Sequence, residues 1–381
     1  GAAVDEWKEL LGVGSPEAYE QIKAETRASL KENQKKYAQY SKVESLCKEW
    51  QQRVAQGNEL LQESLADATL VGATCLGIAG LSEGIEFQFD WVIVDEAGKA
   101  TPPEILVPIC LGKKVVLVGD HKQLPPVVDE ALLKLQDKER MNITKEDLEV
   151  SLFEYLERSL SDECKNILDE QYRMNPVIGD LISNLFYEDK LVSRTSREKK
   201  TIPLEVYEGK PLVWLTTAEN TDRKEERISD SYSNTCEAKL IFEQLLEVDE
   251  ELGKLKLEKE TAIIAGYRGQ KDKLNRLYES NYKARFHHMT VEINTVDAFQ
   301  GRETDIVFYS VVRSNDEGKL GFLKDVRRLN VAFSRARELL VVVGDHHCAQ
   351  KQLEINGQGN PFVDIIRYIR NHPEDCMFKE V

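Results

Sequence analysis

The chain has 381 residues, 41% of them hydrophobic and 31% charged, with a formal net charge of −16. That length allows about two to three domains with ample cores, and the composition is that of an ordinary globular protein. The acidic balance excludes a surface coated in basic residues, but not nucleic acid held in a local groove.

No apolar run approaches a membrane span and no signal peptide is visible, so no membrane association and a place in the cytoplasm, nucleoid or nucleus are expected. The seven cysteines are scattered, with no C-x-x-C pair. That spacing speaks against a disulfide framework or zinc ribbon. The cluster His346-His347-Cys348 lacks an evident fourth ligand, so a loop after a strand is its plainer reading. Gly1-Ala2-Ala3 reads as a non-native start, and the natural protein is expected to extend upstream.

Residues 1–66 are predicted to form a helical stalk. Ser15 is a good N-cap with Pro16 at the first helical position. Tyr19, Ile22 and Leu30 fall on one face, with Thr26 between them. Ser41-Lys42-Val43-Glu44 has the form of a capping box, which predicts a second helix striped by Leu46, Trp50, Val54 and Leu61. The pair reads as an antiparallel hairpin.

From about residue 67, short apolar runs alternate with turns and helices. ATLVGAT, WVIVDEAG and KVVLVGD are predicted strands of one parallel sheet, and TAIIAGY, IVFYSVV and LLVVVGD of another. The first unit is expected over 67–148 and the second over 149–381. The boundary falls in the polar stretch Gln136 to Asp147. Residues 193–235 are polar and are expected to form an irregular insertion. The fold class is α/β.

WVIVDEAG ends in Asp95 and Glu96. A buried strand that delivers two acids is how nucleotide-hydrolysing folds present a magnesium-holding carboxylate and a catalytic base. Such folds also need a phosphate cradle, G-x-x-x-x-G-K-[ST]. None of the 22 glycines begins one. VVLVGDHKQLPP again ends a strand in an acid, Asp120. Gln123 follows, suited to sensing a terminal phosphate or orienting water, and a plain strand-to-loop turn is the alternative. LDEQYRMNP presents Tyr172, able to stack on a base, beside Arg173, able to reach a phosphate as a fork. The alternative is a helix start with a surface arginine. In NTVDAFQGRETDIVF, Gly301 permits close backbone approach and Glu303 precedes a strand, where a carboxylate suits a ribose hydroxyl. RRLNVAFSRARELLVVVGD places Arg335 one or two turns before a strand, as an arginine finger or as one charge on a basic helix face.

In this order, DEAG, GDHKQLPP, QYRMNP, VDAFQGRE and NVAFSRAR resemble the consecutive motifs of superfamily 1 helicases of the up-frameshift (1B) type. The resemblance runs from about Ala68 to the end. It implies tandem RecA-like P-loop NTPase domains, the first incomplete, driving translocation on single-stranded DNA or RNA with ATP and Mg2+. The roles it implies are Asp95 for magnesium, Glu96 as general base, and Gln123 for coupling the γ-phosphate. Tyr172 would stack on adenine and Arg173 would reach the γ-phosphate. Gly301 would lie near that phosphate, Glu303 at the ribose, and Arg335 would be the finger. Thr74, Pro125, Thr295 and the segment Arg313-Ser314-Asn315 match positions that touch the nucleic-acid backbone. The stalk resembles the family's first-domain insertion.

The chain departs from the pattern in four ways. Lys99 replaces the usual glutamine, AGYRGQ replaces a segment with Thr-Pro before the tyrosine, and the phosphate loop and the upstream adenine-recognition glutamine segment are absent. An upstream part of the same protein is therefore expected to supply the loop, with no turnover by this chain alone. The alternative is a nucleotide-independent, nucleic-acid-binding pseudo-helicase.

Overall fold

The computed structural model describes residues 16–56, 64–65, 67–82, 88–127, 150–355 and 358–381. The opening Gly1-Ala2-Ala3, Ser15, Leu61 and the boundary stretch 136–147 lie outside them, as does the side chain of Val54. The chain divides into two compact units, with boundaries at Val92/Ile93, Leu106/Val107 and Lys114/Val115.

The first unit opens on one unbroken helix, α1 (Pro16–Gln56), not on the expected hairpin. No glycine or proline interrupts the sequence between Pro16 and Gly57, so nothing forces a break before Ser41. Glu44, the would-be capping-box acid, instead pairs with Lys48 at 2.7 Å. Further pairs link Lys36 to Glu32 and Lys23 to Glu20. Such i,i+3 and i,i+4 pairs support a solvated helix by a few tenths of a kcal/mol each. The apolar side chains expected to face a partner helix, such as Leu30, Leu46 and Trp50, are exposed.

The predicted strand ATLVGAT is also absent: residues 68–74 have no strand partner among the described residues. Leu70 is 90% exposed, so no burial drives pairing there. The Thr74 hydroxyl instead accepts from Gly77 N at 3.0 Å and caps a short helix, α2 (Gly77–Ser82). The other two runs of this set are strands: β1 (Phe89–Val94) and β2 (Gly112–Leu117) pair with each other. Helix α3 (Pro102–Ile109) connects them.

The second unit continues through α4 (Leu152–Ser159), β3 (Glu170–Gln171), α5 (Pro176–Phe186) and β4 (Val192–Ser193). Then come β5 (Leu212–Thr216), the hairpin β6 (Glu226–Ile228) and β7 (Ser231–Ser233), and α6 (Thr235–Leu255). Next follow β8 (Lys259–Ala265), α7 (Arg268–Leu277), β9 (Met289–Thr295), α8 (Val296–Phe299) and β10 (Thr304–Ser310). The chain closes with α9 (Val326–Phe333), β11 (Ala336–Gly344), α10 (His346–Ala349), the pair β12 (Glu354–Ile355) and β13 (Gln358–Gly359), α11 (Pro361–Asn371) and β14 (Cys376–Glu380).

Six strands form one parallel sheet in the order β14-β5-β11-β10-β8-β9. Both faces are covered, as parallel sheets require. Val307 and Tyr309 of β10 join one core, with residues of α5, α9 and α11. Ile306 and Phe308 of the same strand join a second core with α6 and α7.

Here the irregular insertion expected at 193–235 is corrected. Its segment Leu212–Thr216 is a fully buried interior strand between β11 and β14. Five apolar-rich residues between polar flanks are too short to stand out in sequence. Burial on both faces makes the strand, with Trp214 edge-on to Phe362 and its indole donating to Gly344 O at 3.2 Å.

Candidate nucleotide site

Asp95 and Glu96 leave the end of β1 exposed to solvent. Glu96 has φ +54°, and its amide donates to Asp95 Oδ1 at 2.9 Å. The chain then turns tightly: Ala97 N donates to Val118 O at 2.8 Å. A Cβ on Gly119 would come within 2.7 Å of Gly98 N, so only glycine lets the two loops lie this close. Neither acid is in an ion pair among the described residues.

In the loop after β2, Gln123 Nε2 donates to Asp120 Oδ2 at 2.8 Å. Leu124 is buried in the core that also holds Met174 and Phe333. Pro125 is half-buried.

Arg173 precedes α5, whose cap explains its placement. Asn175 Oδ1 accepts from Val177 N, and Pro176 takes the first helical position. Buried Gln171 accepts from the amides of Arg173 and Met174 and braces the turn. The Arg173 guanidinium pairs with Glu303 at 2.5 Å. Tyr172 is 67% exposed, with its hydroxyl on Glu170.

Gly301 has φ +77° with open space where a Cβ would be, so the backbone conformation alone demands glycine. Glu303 stands one residue before β10. Arg335 stands directly before β11, closer than the one or two turns expected, because α9 ends at Phe333. Its guanidinium is buried and donates to three neutral acceptors: Val331 O at 2.9 Å, Arg302 O at 2.9 Å and Ser334 Oγ at 3.0 Å. No carboxylate pairs with it among the described residues. Burial, then the positive charge of Arg173, lowers it to about 10, while Glu96, Tyr187 and Glu303 act in the opposite sense. It therefore remains charged near neutral pH.

The structure thus brings Asp95, Glu96, Gln123, Arg173, Gly301, Glu303 and Arg335 onto one compact unit. The second-sheet members cluster at the amino-terminal ends of β10 and β11. Thr295 ends β9 at the opposite, carboxyl-terminal edge. The segment Arg313-Ser314-Asn315 also follows the carboxyl-terminal end of β10, roughly 20 Å of strand away. Its side chains are spent internally. Arg313 pairs with Glu225 at 2.8 Å and stacks over Tyr232, while Ser314 Oγ donates to Asp345 at 2.6 Å. Asn315 donates to Glu225 and to Lys319 O. Thr74 lies in the other unit. The cluster His346-His347-Cys348 has no metal grouping around it among the described residues, and Cys348 is buried.

Sequence reasoning missed Tyr187 and Asn330, which touch the Asp120–Gln123 loop. Asn330 lay inside a motif that had drawn attention only for its arginines, and Tyr187 lay outside every motif.

Residues 148–347 match a family model described as an AAA domain, and residues 7–131 match a second, also described as an AAA domain. An uncharacterized ATP-dependent helicase of Methanocaldococcus jannaschii is 34% identical over 310 residues, covering 78% of this chain and 42% of that protein. A regulator of nonsense transcripts 1 from Dictyostelium discoideum is 37% identical over 284 residues, covering 74% of this chain and 20% of that protein. A DNA replication ATP-dependent helicase/nuclease of Xenopus laevis is 34% identical over 313 residues, covering 74% and 27%. The chain spans less than half the length of each.

The chain belongs to the AAA-domain family of α/β nucleotide-binding proteins. Within it, the chain is one of the superfamily 1 helicases of the up-frameshift type.

Proposed function

We propose that this chain is part of an ATP-dependent motor that couples ATP hydrolysis to movement along single-stranded DNA or RNA. The observation that carries the reading is Arg335, a buried cation with only neutral acceptors. An unpaired buried charge is costly, and a nucleotide phosphate would supply the missing anion. Arg173 stands close enough to lower its affinity for a proton, so the two guanidiniums can share one polyanion.

The residues present fit ATP and magnesium. Asp95 has an exposed carboxylate whose Oδ1 accepts from Glu96 N while Oδ2 has no partner among the described residues, suited to hold the ion. Magnesium, when bound, neutralises charge on the phosphates. Glu96 accepts the proton of the attacking water, and Gln123 orients that water or the γ-phosphate. Arg173 and Arg335 compensate the charge that develops on the transferred group. Tyr172 is exposed and free to stack on the base. Glu303 takes the ribose once Arg173 turns to the phosphate, and Gly301 lets the backbone approach. Since Arg313, Ser314 and Asn315 are spent internally, contact with the track in this unit falls to Pro125 and Thr295. No described helix is long and apolar enough to cross a membrane.

The test is ATP turnover by the full-length protein containing this chain, with and without single-stranded DNA and RNA, beside Glu96→Gln. Glu96-dependent turnover stimulated by one polymer supports the reading and names the track. Salt-sensitive strand binding with no turnover overturns it in favour of a nucleotide-independent binding protein.

A further inference from the structure

Tyr187 follows the last residue of α5. Its hydroxyl lies 2.5 Å from Asp120 Oδ2, and Asn330 Nδ2 donates to it at 2.9 Å. The same Asn330 amide donates to the carbonyl of Lys122 at 3.0 Å. The same Asp120 Oδ2 also accepts from Gln123 Nε2 at 2.8 Å.

The donor directions are fixed by this geometry. Asn330 Nδ2 fills an acceptor site on the Tyr187 oxygen, so the hydroxyl proton points to the carboxylate. Burial, then the charge of Asp120, drives the Tyr187 hydroxyl well above its usual range, so it stays a donor. Asn330 lies in α9 five residues before Arg335, and the Arg335 Nε bonds the carbonyl of the very next residue, Val331. A continuous path therefore runs from the Gln123 carboxamide through Asp120, Tyr187 and Asn330 to the turn that holds the Arg335 guanidinium.

Packing alone does not account for Asn330. It is fully buried and its Oδ1 has no partner among the described residues. A buried acceptor without a partner costs about 1–3 kcal/mol, and an apolar side chain of similar volume avoids that cost. What the amide adds is a directed hold on the Lys122–Gln123 loop.

We infer that Tyr187 and Asn330 are positioning residues that clamp the Gln123 loop to α9, the helix that leads into Arg335, so that carboxamide and guanidinium face the nucleotide as one unit. The inference rests on the motor reading above. It gives the γ-phosphate coupling of Gln123 a physical route to the finger.

The experiment measures steady-state ATP turnover of the full-length protein, with and without single-stranded nucleic acid, together with thermal melting. The variants are Tyr187→Phe, which keeps the ring and loses one hydroxyl, and Asn330→Leu, which removes both donors and the orphan acceptor. Misplacing a reacting group by about 1 Å costs on the order of 10²-fold. Both variants are expected to lower kcat and its stimulation by nucleic acid about 10- to 100-fold, with the KM for ATP nearly unchanged. Asn330→Leu is expected to melt no lower than wild type, which a purely structural role would not produce. Wild-type-like kcat and stimulation in both variants, beside a dead Glu96→Gln, overturn this inference and leave the motor standing. Absence of Glu96-dependent turnover in the wild type overturns the motor reading and this inference with it.

Discussion

Arg173 Nε lies 2.5 Å from Glu303 Oε2, so two residues proposed to serve different parts of one nucleotide are paired with each other. Each side chain is 41% exposed. A pair this open contributes only about 0.2–1 kcal/mol to stability. Arg173→Ala is therefore expected to leave the melting temperature nearly unchanged while ATP turnover drops at least about tenfold. A fall of several degrees in melting, with turnover intact, would show the pair to be structural.

The three acceptors around Arg335 set a demand on geometry. They are Val331 O, Arg302 O and Ser334 Oγ, and a planar fork meets all three. Lysine carries the charge but not the fork. Both Arg335→Ala and Arg335→Lys are expected to slow turnover by about 10³–10⁵, as loss of an arginine finger does. Single-turnover hydrolysis checks this, and a wild-type rate in Arg335→Lys removes Arg335 from the mechanism.

Gly301 separates backbone from contact effects. Its φ is +77° and nothing lies within 4 Å of a Cβ built there. Gly301→Ala therefore meets no clash and pays only for the left-handed backbone, about 1 kcal/mol. Urea unfolding should show that loss, and a destabilisation several times larger would mean the loop has shifted.

Glu237 predicts a pH dependence. It is fully buried at the start of α6, where its carboxylate accepts from Ser310 Oγ at 2.6 Å and Val312 N at 2.8 Å. Burial, with Asp345 and Glu225 adding like charge, raises it to about 8 from 4.5. A raised carboxyl favours the folded state below its unfolded value, and that contribution is lost as pH rises through about 8. Wild type is thus expected to lose stability between pH 5 and 8.5 relative to Glu237→Gln, by up to a few kcal/mol. Parallel melting curves across that range would show that Glu237 is not the group responsible.

The sheet strands rich in Val, Ile and Leu were legible. WVIVDEAG, KVVLVGD, TAIIAGY, IVFYSVV and LLVVVGD all appear as β1, β2, β8, β10 and β11. β8, β10 and β11 are buried on both faces and must be apolar along their length, so their sequence announces them, whereas β1 and β2 are as apolar in sequence but largely exposed among the described residues. Leu212–Thr216 and Cys376–Glu380 escaped notice because short runs with polar flanks carry no periodic signal. The hairpin expected at Ser41 failed for the opposite reason. A capping box marks a helix start only where something else stops the preceding helix, and here nothing does.

Sequence by itself determined the chemistry on offer: which acids end the strands, which arginines follow, and in what order. Such motifs are local, and local residue identity is what a chain records directly. Tertiary structure alone decided which polar groups are spent and which remain free. Arg313, Ser314 and Asn315 look as available in the chain as Arg335, yet folding gives the first three internal partners and leaves Arg335 facing only neutral acceptors. It also brought Tyr187 to Asp120 across 67 residues, and Asn330 to Lys122 across 208. Contacts at that separation depend on how sheet and helices pack, and no local pattern encodes them.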